Sequence, residues 1–212
     1  MADIVIVDYG VGNLRNVQKA FERVGEQAVI SSRPDALAAA KGLVLPGVGA
    51  FRDAIGKLRQ SGLFEPVRQF ALVDKRPVLG ICLGMQLLTK GSEEDGWQDG
   101  LGIVRATTKL IPAAEKNLRL PHIGWNSIDI LRPSSLFKGV TSGTDVYFVH
   151  SYHVVCDDPS IAVATCDYGG PFVCAYEVGN VMAAQFHPEK SQDAGLTMLR
   201  NFASVVGKRP GC

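Results

Sequence analysis

The stretch Pro77-Val-Leu-Gly-Ile-Cys-Leu-Gly-Met-Gln-Leu-Leu88 decides the fold. It begins as a short apolar run of strand type and continues with the spacing of a helix. Cys82 stands at the change, between Gly80 and Gly84, where a sharp strand-to-helix turn lifts a nucleophile clear of the backbone. The two glycines are expected to permit close approach and unusual dihedral angles on either side. The stretch therefore predicts an α/β fold with a reactive thiol at a strand end.

The chemistry of Cys82 follows from the helix that begins after it. The free N–H groups and the positive end of that helix favour the thiolate over the thiol. The N–H of Leu83 is also well placed to receive an oxyanion. The competing interpretation is a small buried hydrophobic residue, which is the commoner role of a lone cysteine in an apolar run.

Size and composition exclude several classes of protein. The chain has 212 residues and a formal net charge of +1, so a single domain over 1–212 is expected and a general nucleic-acid or membrane surface is not. No apolar run approaches the ~20 residues of a membrane span, which favours a cytoplasmic protein. The odd count of cysteines, without a close Cys-x-x-Cys pair, predicts neither a disulfide framework nor a zinc site. The cysteines are Cys82, Cys156, Cys166, Cys174 and Cys212.

The N-terminal third has the order of a parallel α/β sheet. Asp3–Asp8 is a β-branched run, a helical pattern follows, and Gln27–Ile30 is a second strand. Gly42–Leu45 is a third strand, which ends in a glycine-bounded loop of the kind that binds ligands at the edge of such sheets. The pair Gly10-x-Gly12 is not a dinucleotide loop, because Arg15 occupies the third glycine position.

The rest of the chain changes from helices to short strands. Two helices are predicted, at Phe51–Arg59 and Leu63–Val73, and two loops, at Ser92–Gly102 and Ala113–Gly124. A final helix fills the last 20 residues. The predicted strands are Ser127–Leu131, Asp145–Val155, Ala162–Tyr168, Val173–Val178 and Val181–Phe186, the last two joined by a hairpin turn at Gly179-Asn180.

A reactive cysteine needs a base, and the base needs an orienting group. His187 closes an apolar strand, and Pro188 biases it toward extended geometry. Because residues i and i+2 of an extended segment point the same way, His187 and Glu189 can project together into one cleft. The competing interpretation is a solvated strand end. A metal site at His150 and His153 is not expected, because they would face opposite sides of a strand and lack a third ligand.

These two motifs together resemble class I, triad-type glutamine amidotransferases. The likeness rests on Gly80–Gln86 and Phe186–Glu189 and extends over nearly the whole chain. It implies a three-layer, flavodoxin-like α/β fold. In that fold helices flank a mostly parallel central sheet, and additional antiparallel strands lie in the C-terminal half.

Other stretches resemble one branch of that family, the glutaminase subunits of imidazole glycerol phosphate synthases of histidine biosynthesis. They are Asp8–Leu14, Pro46–Gly49, Pro121–Asn126, Val149–Tyr152 and Lys190-Ser191. The resemblance implies L-glutamine as substrate and no cofactor. It also implies a (β/α)8-barrel cyclase subunit as partner, which receives ammonia through an internal channel.

The resemblance further implies roles for individual residues. Cys82 attacks the glutamine amide, His187 transfers protons, and Glu189 orients His187. The oxyanion hole consists of backbone N–H groups of Leu83 and of Val48 or Gly49. The amino-acid end of glutamine is held by Gln86, Gly49, Ser151 and Tyr152. Interface residues are Asn13, Trp125 and Lys190, although Trp125 alone also fits a core aromatic.

Three other functions compete with this interpretation. The nearest is another class I glutaminase, which would need a separate acceptor subunit. A related cysteine hydrolase would share the nucleophile but have a different pocket; Gln86 and the His-Pro-Glu spacing argue against it. A non-catalytic protein that retains the fold is disfavoured, because all three triad residues are present.

Overall fold

The computed structural model describes residues 3–113 and 117–207, so the predicted Cys212 and the ends of the predicted domain lie outside the described residues. In this part of the chain 13 strands form one sheet. The strands are β1 (Ile4–Val7), β2 (Ala28–Ser31), β3 (Gly42–Gly47), β4 (Val78–Cys82), β5 (Gly91–Ser92), β6 (Gln98–Asp99), β7 (Ala106–Leu110), β8 (His122–Ile130), β9 (Thr144–His150), β10 (Tyr152–Cys156), β11 (Ala162–Asp167), β12 (Pro171–Val178) and β13 (Val181–Ala184). The α-helices are α1 (Leu14–Arg23), α2 (Pro34–Ala39), α3 (Phe51–Gln60), α4 (Phe64–Arg68), α5 (Leu83–Leu87) and α6 (Gln192–Gly207).

Parallel strands form the centre of the sheet, in the order β2-β1-β3-β4-β13. Strand β1 shows why the sheet is covered on both sides. Its residues are all buried, and Ile4 and Ile6 belong to one hydrophobic cluster while Val5 and Val7 belong to another. Continuous β-branched strands suit such a two-sided core.

Helices cover both faces and complete three layers. Helices α1 and α6 pack on one face, where the rings of Phe21 and Phe202 lie 6.4 Å apart. Helices α3 and α4 contribute Phe51, Leu58 and Val67 to the cluster on the other face. The predicted three-layer fold is therefore confirmed.

The antiparallel part of the sheet comes from the C-terminal half. Strand β12 pairs with β13 through the predicted two-residue turn, with Val178 opposite Val181. The sheet then continues through β10 and β7, while β11, β8 and β9 branch from β12.

Two local predictions were wrong, and one predicted helix differs in type over its second half. The single strand Asp145–Val155 is two strands, because the chain leaves β9 at Ser151 and enters β10, which pairs with β7 and β12. The helix predicted at Leu63–Val73 changes after Arg68 to a π-helix over Gln69–Val73. The predicted loop Ala113–Gly124 ends early, because β8 begins at His122 and pairs with β9.

The turn after β4 is held by very close packing. An added Cβ at Gly84 would lie 1.7 Å from the carbonyl oxygen of Leu45, and one at Gly80 would lie 2.9 Å from the Met85 nitrogen. Neither glycine has a positive φ; that conformation belongs to Cys82, with a φ of 53°. The glycines therefore serve close approach alone, and the expectation of unusual glycine dihedrals was wrong.

No helix within 3–113 and 117–207 combines the length and apolarity that a bilayer crossing requires.

We expect Gly84→Ala to destabilise the fold by about 3 kcal/mol or more, because the added methyl group meets backbone that cannot give way. The matched control is Gly56→Ala in α3, where the new methyl group meets nothing within 4 Å. That substitution should stabilise the protein by up to about 1 kcal/mol, since alanine favours a helix. Urea unfolding of both variants measures the difference, and equal stabilities would contradict the packing described.

Candidate active site

Cys82 ends strand β4 in a conformation that few residues adopt. Its φ of 53° and ψ of −111° place it outside the usual regions for a residue with a side chain. Such strain persists only where the surroundings hold it, and it is concentrated at functional sites. The side chain is buried, and its Sγ donates to the carbonyl of Val149 over 3.8 Å.

His187 and Glu189 form a buried pair beside Cys82. Nδ1 of His187 lies 2.7 Å from Oε1 of Glu189, and the two side chains are only 3% and 2% exposed. His187 is extended, as predicted, but Glu189 lies in a 3-10 turn over Pro188–Lys190. The turn, rather than an extended segment, therefore brings the carboxylate to the imidazole.

The other ring nitrogen of His187 is available to Cys82. Among the described residues Nε2 has no partner of its own. Burial lowers the pKa of His187, but the nearby Cys82 and the hydrogen-bonded Glu189 raise it more, to about 9. The imidazole is therefore placed to exchange a proton at Nε2 beside the sulfur, while the carboxylate of Glu189 holds Nδ1.

Strand β9 supports the segment that carries His187. The His187 N–H donates to the carbonyl of Tyr147 over 2.9 Å. The buried Ser191 hydroxyl accepts from the Tyr147 N–H and donates to the carbonyl of His187, at 3.0 and 2.7 Å. The backbone on both sides of the imidazole is thus tied to a neighbouring strand.

The end of β3 lies against the start of α5. Gly47 pairs with Cys82, and an added Cβ there would lie 2.6 Å from the Tyr9 hydroxyl and 3.0 Å from Cβ of Leu83. The Tyr9 hydroxyl donates to the carbonyl of Pro46 over 2.7 Å. Burial raises the pKa of Tyr9 well above its usual value, so this hydroxyl keeps its proton and remains a donor. Tyr9 thereby fixes the backbone that leads into Val48.

The two candidate oxyanion donors meet at this junction. Leu83 is the first residue of α5, so its N–H has no acceptor within the helix. Val48 and Gly49 follow β3 on the same side; Val48 is 42% exposed, and Gly49 has a φ of 96° with open space around it. A backbone with this freedom can turn a peptide group toward or away from the sulfur.

A cavity of about 440 Å³ opens over Cys82. It lies at the carboxyl ends of parallel strands, where open α/β sheets bind ligands. It is lined by Val48, Gly49, Cys82, Leu83, Gln86, Glu94, Pro121, Val149, His150, Ser151, Tyr152 and Lys190. The predicted substrate residues Gln86, Gly49, Ser151 and Tyr152 therefore share one cavity with the sulfur.

Glu94 is a cavity residue that sequence reasoning missed. Its Oε2 accepts from the N–H of Phe51, the first residue of α3, over 2.8 Å. It is the one acidic side chain among the residues that line the cavity, so it complements the ammonium group of an amino acid. Ser92–Gly102 was predicted as a surface excursion, and no short-range pattern signals that one of its glutamates faces inward.

A larger cavity lies elsewhere. It has about 1270 Å³ and is lined by residues that include Arg132, Ser134 and Glu177. The guanidinium of Arg132 is occupied by backbone carbonyls, and the Glu177 carboxylate accepts from Ser134. Because Arg132 and Glu177 are already paired and no cysteine or histidine lines this cavity, size alone does not make it the candidate site.

Two of the three predicted interface residues lie near the mouth of the cavity. Lys190 lines the cavity, and its Nζ lies 5.4 Å from the centre of the Tyr147 ring. Trp125 packs edge-on against the same ring and is 45% exposed, so its interpretation as a core aromatic is wrong. Asn13 caps α1 through a bond to the Asn16 N–H and lines a separate cavity.

The other cysteines of the described chain do not line this cavity. Burial raises the pKa of Cys156 to about 11 and of Cys166 to about 12, and it raises that of Cys174 well above its usual value. Their thiols therefore remain protonated and inert near neutral pH. They lie in strands β10, β11 and β12, as expected of packing residues.

Comparison with known proteins finds relatives that match nearly the whole chain. The family model of class-I glutamine amidotransferases matches residues 5–205. Imidazole glycerol phosphate synthase subunit HisH of Syntrophotalea carbinolica is 51% identical over 95% of this chain and 100% of its own. The HisH subunit of Geobacter sulfurreducens is 46% identical over 97% of this chain and 100% of its own.

Solved structures agree on the fold. A crystal structure of a glutamine amidotransferase superposes with a TM-score of 0.76 at 21% identity and covers 97% of this chain and all of that one. A glutamine amidotransferase of Thermotoga maritima gives a TM-score of 0.68 at 16% identity over 97% of this chain and 98% of its own.

The raised pKa of His187 predicts a dependence of stability on pH. The folded pKa of about 9 exceeds the ordinary value of 6.5, so protonation of His187 stabilises the fold fully below pH 6.5. That contribution is lost as the pH rises through 9. We expect the free energy of unfolding to fall by up to about 3 kcal/mol across this range, measured by denaturant unfolding.

The decrease in the free energy of unfolding between pH 6.5 and 9 should disappear in His187→Asn. It should persist in the matched variant His153→Asn, because burial lowers the pKa of His153 and its imidazole is neutral throughout this range. A flat pH dependence in the unmodified protein would contradict the raised pKa.

Proposed function

This chain belongs to the class-I glutamine amidotransferase family, and we propose that it acts as the glutaminase subunit of an imidazole glycerol phosphate synthase. It hydrolyses L-glutamine to glutamate and ammonia and serves histidine biosynthesis. Two HisH relatives at 51% and 46% identity support this assignment over nearly their full lengths. The observation that carries it is a strained cysteine beside a buried His–Glu pair, under a cavity of about 440 Å³.

Cys82, His187 and Glu189 form the proposed catalytic triad. The thiolate of Cys82 attacks the amide carbon of glutamine and forms a C–S bond. His187 then donates a proton to the nitrogen, the C–N bond breaks, and ammonia leaves a glutamyl thioester. His187 next takes a proton from water, which attacks the thioester, and the C–S bond breaks to give glutamate. Glu189 holds the imidazole through Nδ1 during both proton transfers.

The oxyanion formed in each step is proposed to bind two backbone N–H groups. One belongs to Leu83 and the other to Val48 or Gly49. Loss of one such donor typically costs ~3 kcal/mol, or roughly a hundredfold in rate. Rotation of the peptide between Val48 and Gly49 would therefore switch the site on and off, and the open space around Gly49 supports this movement.

The amino-acid end of glutamine is proposed to bind at the opposite side of the cavity. Gln86, Gly49, Ser151 and Tyr152 supply polar groups there. Glu94 would pair with the ammonium group of the substrate. Gln86 already donates its NH2 group to the Tyr152 carbonyl and to Gln185, so it would contact substrate through its oxygen.

We propose that the partner is a (β/α)8-barrel cyclase subunit that docks over the cavity and receives the ammonia. It would use that ammonia to make imidazole glycerol phosphate and aminoimidazole carboxamide ribonucleotide. Exposed apolar side chains beside the cavity support a covering partner: Val48 is 42%, Ile123 59% and Trp125 45% exposed. Ile123 pairs with Val149 of the cavity wall. Lys190 and Asn13 are proposed to contact the same subunit.

Residues 1–212 are proposed to form one amidotransferase domain, with the protein working in the cytoplasm. The family match over 5–205 leaves little of the chain outside that domain.

We expect Cys82→Ala to abolish glutamine-dependent synthesis by the two-subunit complex, because alanine offers no nucleophile. Synthesis supplied with ammonium instead should continue at the unmodified rate, since the cyclase reaction needs ammonia and not the sulfur. Product formation with each nitrogen source measures both activities. Loss of the ammonium-dependent reaction would contradict the proposed division of work.

Glutamate release should depend on the partner. We expect little turnover by the chain alone and strong stimulation by the cyclase subunit with its ligand, because the oxyanion backbone is free to leave its active orientation. A glutamate assay of the chain alone, with the subunit, and with subunit and ligand measures this. Full activity of the isolated chain would contradict the switch, and cleavage of peptides would favour a cysteine hydrolase.

A further inference from the structure

Gln185 is a buried polar residue to which the proposed reaction gives no role. It follows β13 and stands two residues before His187. Its side chain is fully shielded from solvent, and a buried amide has to find its hydrogen-bond partners within the protein. Its side-chain partners are Gln86 and the sulfur of Cys82.

One end of the Gln185 amide contacts Cys82. Its Nε2 donates to Sγ of Cys82 over 3.8 Å. The backbone of Gln185 is fixed independently, because its N–H donates to the Cys174 carbonyl over 2.8 Å. A hydrogen bond to the charged form of a group favours that form, so an N–H at this place favours thiolate over thiol.

The direction of the Gln185 amide follows from a backbone carbonyl. The carbonyl of Tyr152 can only accept a hydrogen bond, so the side chain of Gln86 must turn its NH2 group toward it, at 3.0 Å. That NH2 group also lies 3.1 Å from the side chain of Gln185, which must therefore present its oxygen to Gln86. The NH2 group of Gln185 is then left to face the sulfur.

Two buried imidazoles support the same carbonyl, His150 directly and His122 through its bond to His150. Nδ1 of His150 lies 2.8 Å from the Tyr152 oxygen and must donate to it. Burial lowers the pKa of His150 to about 3, so this imidazole is neutral and its Nε2 accepts from Nδ1 of His122, over 3.1 Å. Because His122 is neutral and donates through Nδ1, its Nε2 accepts, so the side-chain amide of Asn126, 2.9 Å away, must turn its NH2 group toward it. The chain of polar groups is thus continuous from strand β8 to Cys82.

We propose that Gln185 is a further catalytic residue, whose side-chain NH2 group stabilises the Cys82 thiolate and is oriented for this by Gln86. The inference rests on the proposed function of Cys82 as nucleophile. The same N–H serves twice in each turnover, before the sulfur attacks and when the thioester releases it as a thiolate. His150 and His122 are positioning residues that hold the Tyr152 carbonyl.

The test compares two substitutions of Gln185 with a matched control. Gln185→Met keeps the volume of the side chain and removes the donor. Gln185→Glu keeps an oxygen for Gln86 and places no NH2 group at the sulfur. The control is Gln18→Met in α1, which removes a half-buried amide that donates to the Ala28 carbonyl.

The first measurement is alkylation of Cys82 by iodoacetamide at pH 7, followed by mass spectrometry of the peptide that contains it. We expect both Gln185 variants to react about tenfold more slowly than the unmodified chain, the low end for a hydrogen bond to a charged group. Gln18→Met should react at the unmodified rate.

In the complex, kcat for glutamine should fall about tenfold in Gln185→Met while KM stays within about twofold.

Alkylation needs neither glutamine nor a partner, so it tests Gln185 even if the proposed function fails. Unmodified alkylation rates in both variants would overturn the inference, since a packing role alone predicts that result for Gln185→Met. If the variants do not fold, the side-chain amide resonance of Gln185 is compared between the unmodified chain and Cys82→Ala. It should shift, while the amide resonance of Gln18 stays; an unmoved Gln185 resonance would overturn the inference.

Discussion

The contact between Gly84 and the carbonyl of Leu45 is the constraint on which the site depends. Helix α5 can begin directly after β4 only because residue 84 has no side chain and its backbone lies against β3. That approach leaves Cys82 with its unusual φ of 53° at the end of the strand. It also brings Leu83 beside Gly47, so the nucleophile and both candidate oxyanion donors are set by one packing contact between helix α5 and strand β3.

The parallel order of the central strands supplies the other half of the site. Strand β13 pairs with β4, with Ala184 opposite Ile81, so the segment that follows β13 emerges beside Cys82. Polar groups brought to this edge are buried, and a buried polar group without a partner costs about 1–3 kcal/mol. Hydrogen bonds avoid that cost here. Gln86 bonds to Gln185, and both Gln86 and His150 bond to the Tyr152 carbonyl. Stability of the interior and orientation of the reacting groups therefore have the same origin.

Much of this arrangement can be predicted from local patterns. The β-branched run at β1 and the glycine spacing around Cys82 predicted the parallel core and its strand-to-helix turn. The bounds of the antiparallel strands were predicted less accurately. The chain breaks between β9 and β10 at Ser151, where no glycine or proline marks the end of a strand. The pairing of β8 with β9 is a long-range contact that no local pattern contains. Gln86 and Gln185 lie far apart in the sequence, so no local pattern predicts their hydrogen bond. Nor does any local pattern predict that Glu94 lines the cavity.

The cavity beside His187 distinguishes Cys82 from the other described cysteines. Cys156, Cys166 and Cys174 have thiols whose pKa values are raised, and they are enclosed among strands. Cys82 alone of the four described cysteines opens into a cavity. Among the described cysteines, an electrophilic glutamine mimic should therefore react with Cys82, and a covalent inhibitor can be designed against that sulfur.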